Sequence, residues 1–214
     1  ELEILLDEDH PAPAIGLIAE LGLLPAICDG LDWSEDIRTF LLELEGQLAW
    51  FELEQLGPSP APWLLFLGGL ALESGDGIPK RLADRLQLTG DQRRRLLDLP
   101  GGVARIREAS SPGLSRSSRV RAVEDRSPEV VLVAMAGVDL ERRRLLASAV
   151  EAAVRVVPAA TGGQLVEAGV EPGPWIGEAL KLTRDAIVDH EIGTIESREF
   201  AVDCARRLQR EASA

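Results

Sequence analysis

The stretch Thr161 to Lys181 reads T-G-G-Q-L-V-E-A-G-V-E-P-G-P-W-I-G-E-A-L-K, and its spacing leaves the backbone little freedom. Thr161 suits the N-cap of a short helix carrying Leu165 and Val166, and Gly169 suits the left-handed turn that ends such a helix. The turn Val170-Glu171-Pro172-Gly173 leads to Pro174, which fits the first position of a second helix because its missing N–H would have had no partner there. Two short helices around a Pro-Gly turn are therefore expected. Gly173 and Gly177 carry no Cβ, so another backbone can approach the amides at the start of the second helix, where the positive end of the dipole suits a phosphate. The same spacing also fits a helix–turn–helix corner whose glycines only let helices pack.

The rest of the chain has helical punctuation throughout. Glu1 to Asp7 reads as the end of a helix and Pro11 to Leu24 as a second. Asp32 or Ser34 caps a long helix through about Leu56, with Ile37, Phe40, Leu41, Leu44, Leu48, Phe51 and Leu53 at helical spacing. Pro62 opens an apolar helix, Trp63-Leu64-Leu65-Phe66-Leu67, that belongs at the centre. Pro79–Leu86 follows, and then a helix capped by Thr89 that carries Arg93-Arg94-Arg95. Ser110 to Arg119 fits either a mobile linker or a helix cap. Pro128 to Ala136 is a short apolar helix, and Asp139 starts a long one from Leu140 to Val157, led by Arg142-Arg143-Arg144 and ended by Pro158. After the hairpin, the second helix runs to about Val188, Asp189 to Gly193 turn, and Ser197 caps a last helix to Arg210.

Strand-like alternation is nearly absent, and Leu, Ala, Glu and Arg dominate while aromatics make up 4% of 214 residues. An all-α fold is expected, an elongated multi-helix bundle or arm with a C-terminal helix–hairpin–helix-like element. Cys28 and Cys204 lie far apart with no partner motif, which reads as two small core residues in a reducing cytoplasm. The longest apolar run, Pro62 to Leu72, falls short of the roughly 20 residues of a membrane helix. The chain begins at Glu1 inside a helical pattern and holds only Met135, which reads as a segment of a longer protein.

Net charge is −13, but unevenly spread. Residues 1–79 hold 16 carboxylates against Arg38 alone, a charge of −15; residues 80–155 carry +6 and residues 156–214 carry −4. The middle third can face a polyanion while the ends repel it.

The pattern T-G-x-x-L-x-x-x-G-x-x-P-G-P-x-x-G-x-x-L resembles the signature in the C-terminal part of bacterial class II tRNA nucleotidyltransferases and poly(A) polymerases. The early I-A-E-L-G-L-L-P-A-I, the segment L-A-D-R-L-Q-L-T and the order E-V-V-L-V-A-M then P-A-A-T-G resemble the same family. Gly163-Gln164 stand where the family often has Lys or Arg followed by Asp, and His190 where its turn has glycine. Leu67-Gly68-Gly69-Leu70 stand where HD-type relatives carry metal-binding His-Asp. The resemblance implies the end of a neck at 1–31, a helical body at 32–126 and a tail at 127–214 with the hairpin at 161–181. It also implies an arm that holds the tRNA elbow while a separate head adds nucleotides with ATP, or CTP, and Mg²⁺.

No catalytic and no metal-binding residue is nominated. A nucleotidyltransferase needs carboxylates that hold metal ions beside a Gly-Ser turn, and neither is found. Glu35-Asp36-Ile37-Arg38 has one residue too few to match the family's E-D-x-x-R, and reads as an acidic first turn. No P-loop, G-x-S-x-G or G-x-G-x-x-G occurs, and His10 and His190 stand alone. The remaining expectation is RNA binding through backbone amides and arginines that touch phosphates without reading sequence. The nominated residues are Thr161, Gly162, Gly163, Gly169, Pro172, Gly173, Pro174 and Gly177 of the hairpin, with Arg93, Arg94, Arg95, Arg142, Arg143 and Arg144. Two other readings are a helical interaction or oligomerisation domain and a generic helix–hairpin–helix DNA binder.

Overall fold

The computed structural model describes residues 1–8, 10–157 and 160–212, which form thirteen helices and no strand. The expectation of an all-α chain is met. In order, the helices are α1 Leu2–Leu6, α2 Pro11–Glu20, α3 Leu24–Ile27, α4 Glu35–Leu53, α5 Pro62–Glu73, α6 Ile78–Arg85, α7 Gly90–Ala109, α8 Arg116–Glu124, α9 Pro128–Ala136, α10 Leu140–Arg155, α11 Gly162–Glu167, α12 Pro174–Val188 and α13 Ser197–Ala212. The ending assigned to Pro158 lies outside the described residues.

Local chemistry sets most of these boundaries. The Ser34 hydroxyl, not Asp32, caps α4 by accepting from the Ile37 amide at 3.2 Å. Thr89 and Gln92 cap α7 reciprocally, and the Asp139 carboxylate accepts from the Arg142 amide at 2.9 Å at the start of α10. The helix expected over 11–24 is two helices, because Gly22 at φ +68° closes α2 and Leu23 bonds back to Ile18. Of the two readings of the serine-rich stretch, the helix cap holds: the Ser115 hydroxyl accepts from the Ser118 amide, and Ser110, Ser117 and Arg119 are buried. Ser197 is not a cap but the first residue of α13, with its hydroxyl turned back to the Thr194 carbonyl at 2.6 Å.

The apolar helix α5 is central as expected, buried continuously from Trp63 to Ala71. Its two glycines are packing surfaces. A Cβ on Gly68 would lie 2.6 Å from Leu99 of α7, and one on Gly69 would lie 3.1 Å from Phe40 and 3.2 Å from Leu44 of α4. Long helices on two sides thus press onto α5 where a Cβ would hold them off, and each fully buried leucine in that contact stabilises the fold by about 2 kcal/mol. Helix α9 is buried from Glu129 to Ala136 and packs on α4, α7 and α10.

Two hydrophobic clusters result. The larger runs from Leu6 to Ala152 and includes Val188; the smaller joins Ala160, Leu165, Val170, Ala179, Ala201, Cys204 and Ala205. The body–tail boundary expected at 126/127 therefore falls inside the larger cluster, and the change of cluster comes between α10 and α11. Cys28 and Cys204 are small core residues of different clusters, and burial pushes both thiols up from their ordinary value.

Arginines join the helices. Arg142 of α10 reaches the Arg107 carbonyl in the last turn of α7 and the Ser110 hydroxyl at 2.7 Å. Arg143 donates to Met135 and Val138 carbonyls at the end of α9, each at 3.1 Å, and pairs with Glu43 of α4. Arg184 reaches Ala153 at the end of α10, Arg155 reaches Glu54 at the end of α4, and Arg206 reaches Ala168 at the end of α11. Helix ends leave carbonyls without partners and carry a partial negative charge, so a guanidinium there answers both.

Arg143→Met is expected to lower stability by about 2–3 kcal/mol, because two carbonyls and Glu43 lose their partner. Arg144→Met, one residue on but exposed and without a partner among the described residues, is expected to change it by less than about 0.5 kcal/mol. Urea unfolding of the two variants measures the contrast.

Candidate nucleic-acid interface

The hairpin forms as the spacing predicts. The Thr161 hydroxyl accepts from the Gln164 amide at 3.4 Å and the Gln164 side chain accepts from the Thr161 amide at 2.9 Å, so the residue standing in place of the family's Asp completes a capping box. Gly169 takes φ +87° and closes α11, with the Val170 amide bonded to Leu165 at 3.1 Å. Val170 and Leu165 are buried and anchor the turn in the smaller core. Gly162 lies against α12, where an added Cβ would meet Ile176 at 3.3 Å. Thr161, Gly163, Gly169, Pro172, Pro174 and Gly177 are exposed.

Gly173 and Gly177 turn out to differ. Gly173 is extended at φ 177°, and a Cβ there would overlap the indole of Trp175, which folds back over the turn and donates from Nε1 to the Glu171 carbonyl at 2.7 Å. The absent Cβ at 173 therefore seats a tryptophan. Gly177 has nothing within 4 Å of its Cβ position and faces open space. In the first turn of α12, Pro174 has no N–H and the Ile176 amide is bonded to the Gly173 carbonyl at 3.2 Å, which leaves the Trp175 amide for a ligand. Trp175 was not nominated from sequence; an aromatic two residues after Pro-Gly was the available signal.

The nominated arginines are not gathered at the hairpin. Arg93 pairs with Asp84 at 2.6 Å and holds that carboxyl below its ordinary value. Arg94 pairs with Asp91, and Arg95 bridges Asp91 at 2.8 Å and Glu129 at 3.0 Å, with the Glu129 bond raising its own pKa. The three line a cleft of about 1040 Å³ with Pro58, Ser59 and Pro128, where Asp98 and Asp125 also face in. Arg142 and Arg143 are spent on helix ends, and Arg144 points outward. The hairpin's own cation is Lys181, exposed and without a partner among the described residues. Among those residues, no three His, Cys, Asp or Glu side chains stand where they could share a metal ion, and no helix is long and apolar enough to cross a membrane.

The helix order thus runs through a buried core to a hairpin near its end, between α11 and α12. No family model matches the chain. Over 201 residues, 91% of its length, it is 27% identical to the A-adding tRNA nucleotidyltransferase of Geobacter sulfurreducens, and spans 23% of that protein. The resemblance drawn from the hairpin and the helix order thus has a counterpart across almost the whole chain. Among solved structures, the CCA-adding enzyme of Thermotoga maritima complexed with tRNA matches over 97% of this chain and 50% of its own, with a TM-score of 0.77 at 19% identity. A CCA-adding enzyme complexed with ATP matches over 92% and 46%, with a TM-score of 0.72 at 19% identity. The structures share the fold, and this chain spans about half of their length.

Gly173→Ala is expected to displace the Trp175 indole and lower stability by about 1–3 kcal/mol. Gly177→Ala is expected to raise it by about 0.5–1 kcal/mol, because the site is open and alanine favours the helix. Thermal unfolding and the tryptophan emission maximum separate the two.

Proposed function

We propose that this chain is the RNA-holding arm of a tRNA nucleotidyltransferase, CCA-adding or A-adding, or of a bacterial poly(A) polymerase. Residues 1–31 serve as the end of a neck, 32–126 as a body and 127–214 as a tail. The arm grips tRNA by its backbone and presents the 3′ end to a separate head, which adds nucleotides with ATP or CTP and Mg²⁺ in the cytoplasm. Positioning is then the arm's whole contribution to catalysis.

One observation carries the reading: the second helix of the hairpin begins at the surface, with no backbone bond on the Trp175 amide in its first turn and open space at Gly177. Backbone amides and the helix dipole hold a phosphate without regard to base, which suits an enzyme acting on many tRNAs. The likeness to an A-adding enzyme over 91% of the chain and to a CCA-adding enzyme solved with tRNA supports it. The structure narrows the contacts proposed. Arg93, Arg94 and Arg95 reach RNA only by sharing carboxylate partners, and Arg142 and Arg143 only by leaving helix ends, so Arg144, Lys181 and the hairpin backbone are the preferred contacts.

Fluorescence anisotropy with labelled tRNA tests this at low salt. The chain is expected to bind tRNA better than duplex DNA of equal length. Gly177→Glu and Lys181→Glu are each expected to weaken binding about five- to tenfold, with the unfolding midpoint no lower for Gly177→Glu and unchanged for Lys181→Glu. Equal binding of duplex DNA would favour the generic helix–hairpin–helix reading. Absent RNA binding together with concentration-dependent light scattering would favour an oligomerisation domain.

A further inference from the structure

We propose that Asp189 and His190 form a latch that fixes the angle of the tail hairpin on the body, which makes His190 a positioning residue for the RNA-holding role; the inference rests on that reading. Helices α11–α13 have their own small core, and Val188 is the one residue of α12 within the larger core. Where α12 meets α8 the joint is polar. Arg121 pairs with Asp185 and Arg184 with Glu124 along it, and Arg184 also reaches the end of α10.

The end of α12 closes this joint. Asp189 accepts from the Ser117 amide at 2.7 Å and from the Ser117 hydroxyl at 2.6 Å. Ser117 is the second residue of α8, so a carboxylate from one helix's C-terminus caps another's N-terminus, while Ser115 caps the next amide. The negative end of α12 is thereby set against the positive end of α8.

His190 comes next, at φ +60°. A glycine would take this conformation at little cost, and a histidine does so against its preference. The side chain supplies what glycine lacks: Nε2 accepts from Arg116 at 2.9 Å, and Arg116 donates onward to the Ser148 carbonyl of α10 at 3.2 Å. A strained backbone residue thus ties three helices together. Directional bonds of this kind set the angle of α11–α13 on the helices of the larger core.

Substitutions at 190 separate this role from a merely tolerated turn residue. His190→Gly relaxes the backbone and removes the acceptor; His190→Asn tolerates the left-handed conformation and keeps one. Hydrogen exchange at Ser117, Ser118 and Glu191 and anisotropy with labelled tRNA are measured on the 214-residue chain. In the Gly variant, exchange at the joint is expected to quicken about tenfold and tRNA binding to weaken about three- to tenfold, with the urea midpoint unchanged or higher. The Asn variant is expected to stay within about threefold of wild type in both. Exchange in the Gly variant as slow as in wild type, or an Asn variant that behaves like Gly, would sink the latch. If the joint loosens in the Gly variant while even the wild type fails to bind tRNA, the latch stands and the RNA-holding role falls.

Discussion

The fold depends on satisfying the carbonyls at the ends of many short helices. Every helix end presents acceptors without intrahelical partners, and a chain this rich in short helices has many of them close to its core. Arginine meets the demand here because its planar fork reaches two carbonyls, or a carbonyl and a carboxylate, while its stem packs on apolar surface. Arg143 does this between α9 and α4, Arg142 at the end of α7, and buried Arg119 at the Ser111 and Pro112 carbonyls just beyond it. Gly137 belongs to the same design, since a Cβ there would collide with the Arg107 guanidinium, which pairs with Glu73 of α5.

This changes the meaning of the charge distribution. The excess of carboxylates in the first third and of arginines in the middle third suggests a chain that repels a polyanion at one end and attracts it in the centre. In the fold, part of that asymmetry is internal complementarity. Glu43 pairs with Arg143, Glu54 with Arg155 and Glu73 with Arg107, joining the acidic third to the basic one. The Glu43 and Glu73 pairs are partly buried, and Arg143 and Arg155 also reach helix-end carbonyls, so they gain by geometry where isolated surface pairs contribute little.

What was legible in the sequence follows the range of the interaction. Apolar continuity marked α5 and α9, Ser34, Thr89 and Asp139 marked helix starts within three or four residues, and Gly169 and Pro174 marked the turn between α11 and α12. These signals are local, and they came out as expected. The roles of the arginines were not legible, because Arg142 meets α7 more than 30 residues away and Arg155 meets α4 about 100 residues away. An arginine on a helix face looks the same whether it points to solvent or to another helix's last turn. The use of Gly173 was hidden for a related reason: sequence shows a missing Cβ, but only the fold shows that Trp175 occupies the space.

The same contrast bears on where a nucleic acid could rest. Once the paired and capping arginines are set aside, the surface of α1–α4 remains acidic, with Glu1, Glu3, Glu8 and Glu20 exposed and unpaired among the described residues. A polyanion is repelled from that end over a range of about 10 Å at ordinary ionic strength. The tail is less forbidding, but its cations are few and interspersed with Glu167, Glu171 and Glu178. Attraction by net charge is therefore a poor account of the binding proposed at the hairpin, and fixed dipoles are a better one. Amides and a helix axis keep their orientation only if the elements carrying them do, which gives the capping box at Thr161, the indole over Gly173 and the joint at Asp189 a common physical purpose.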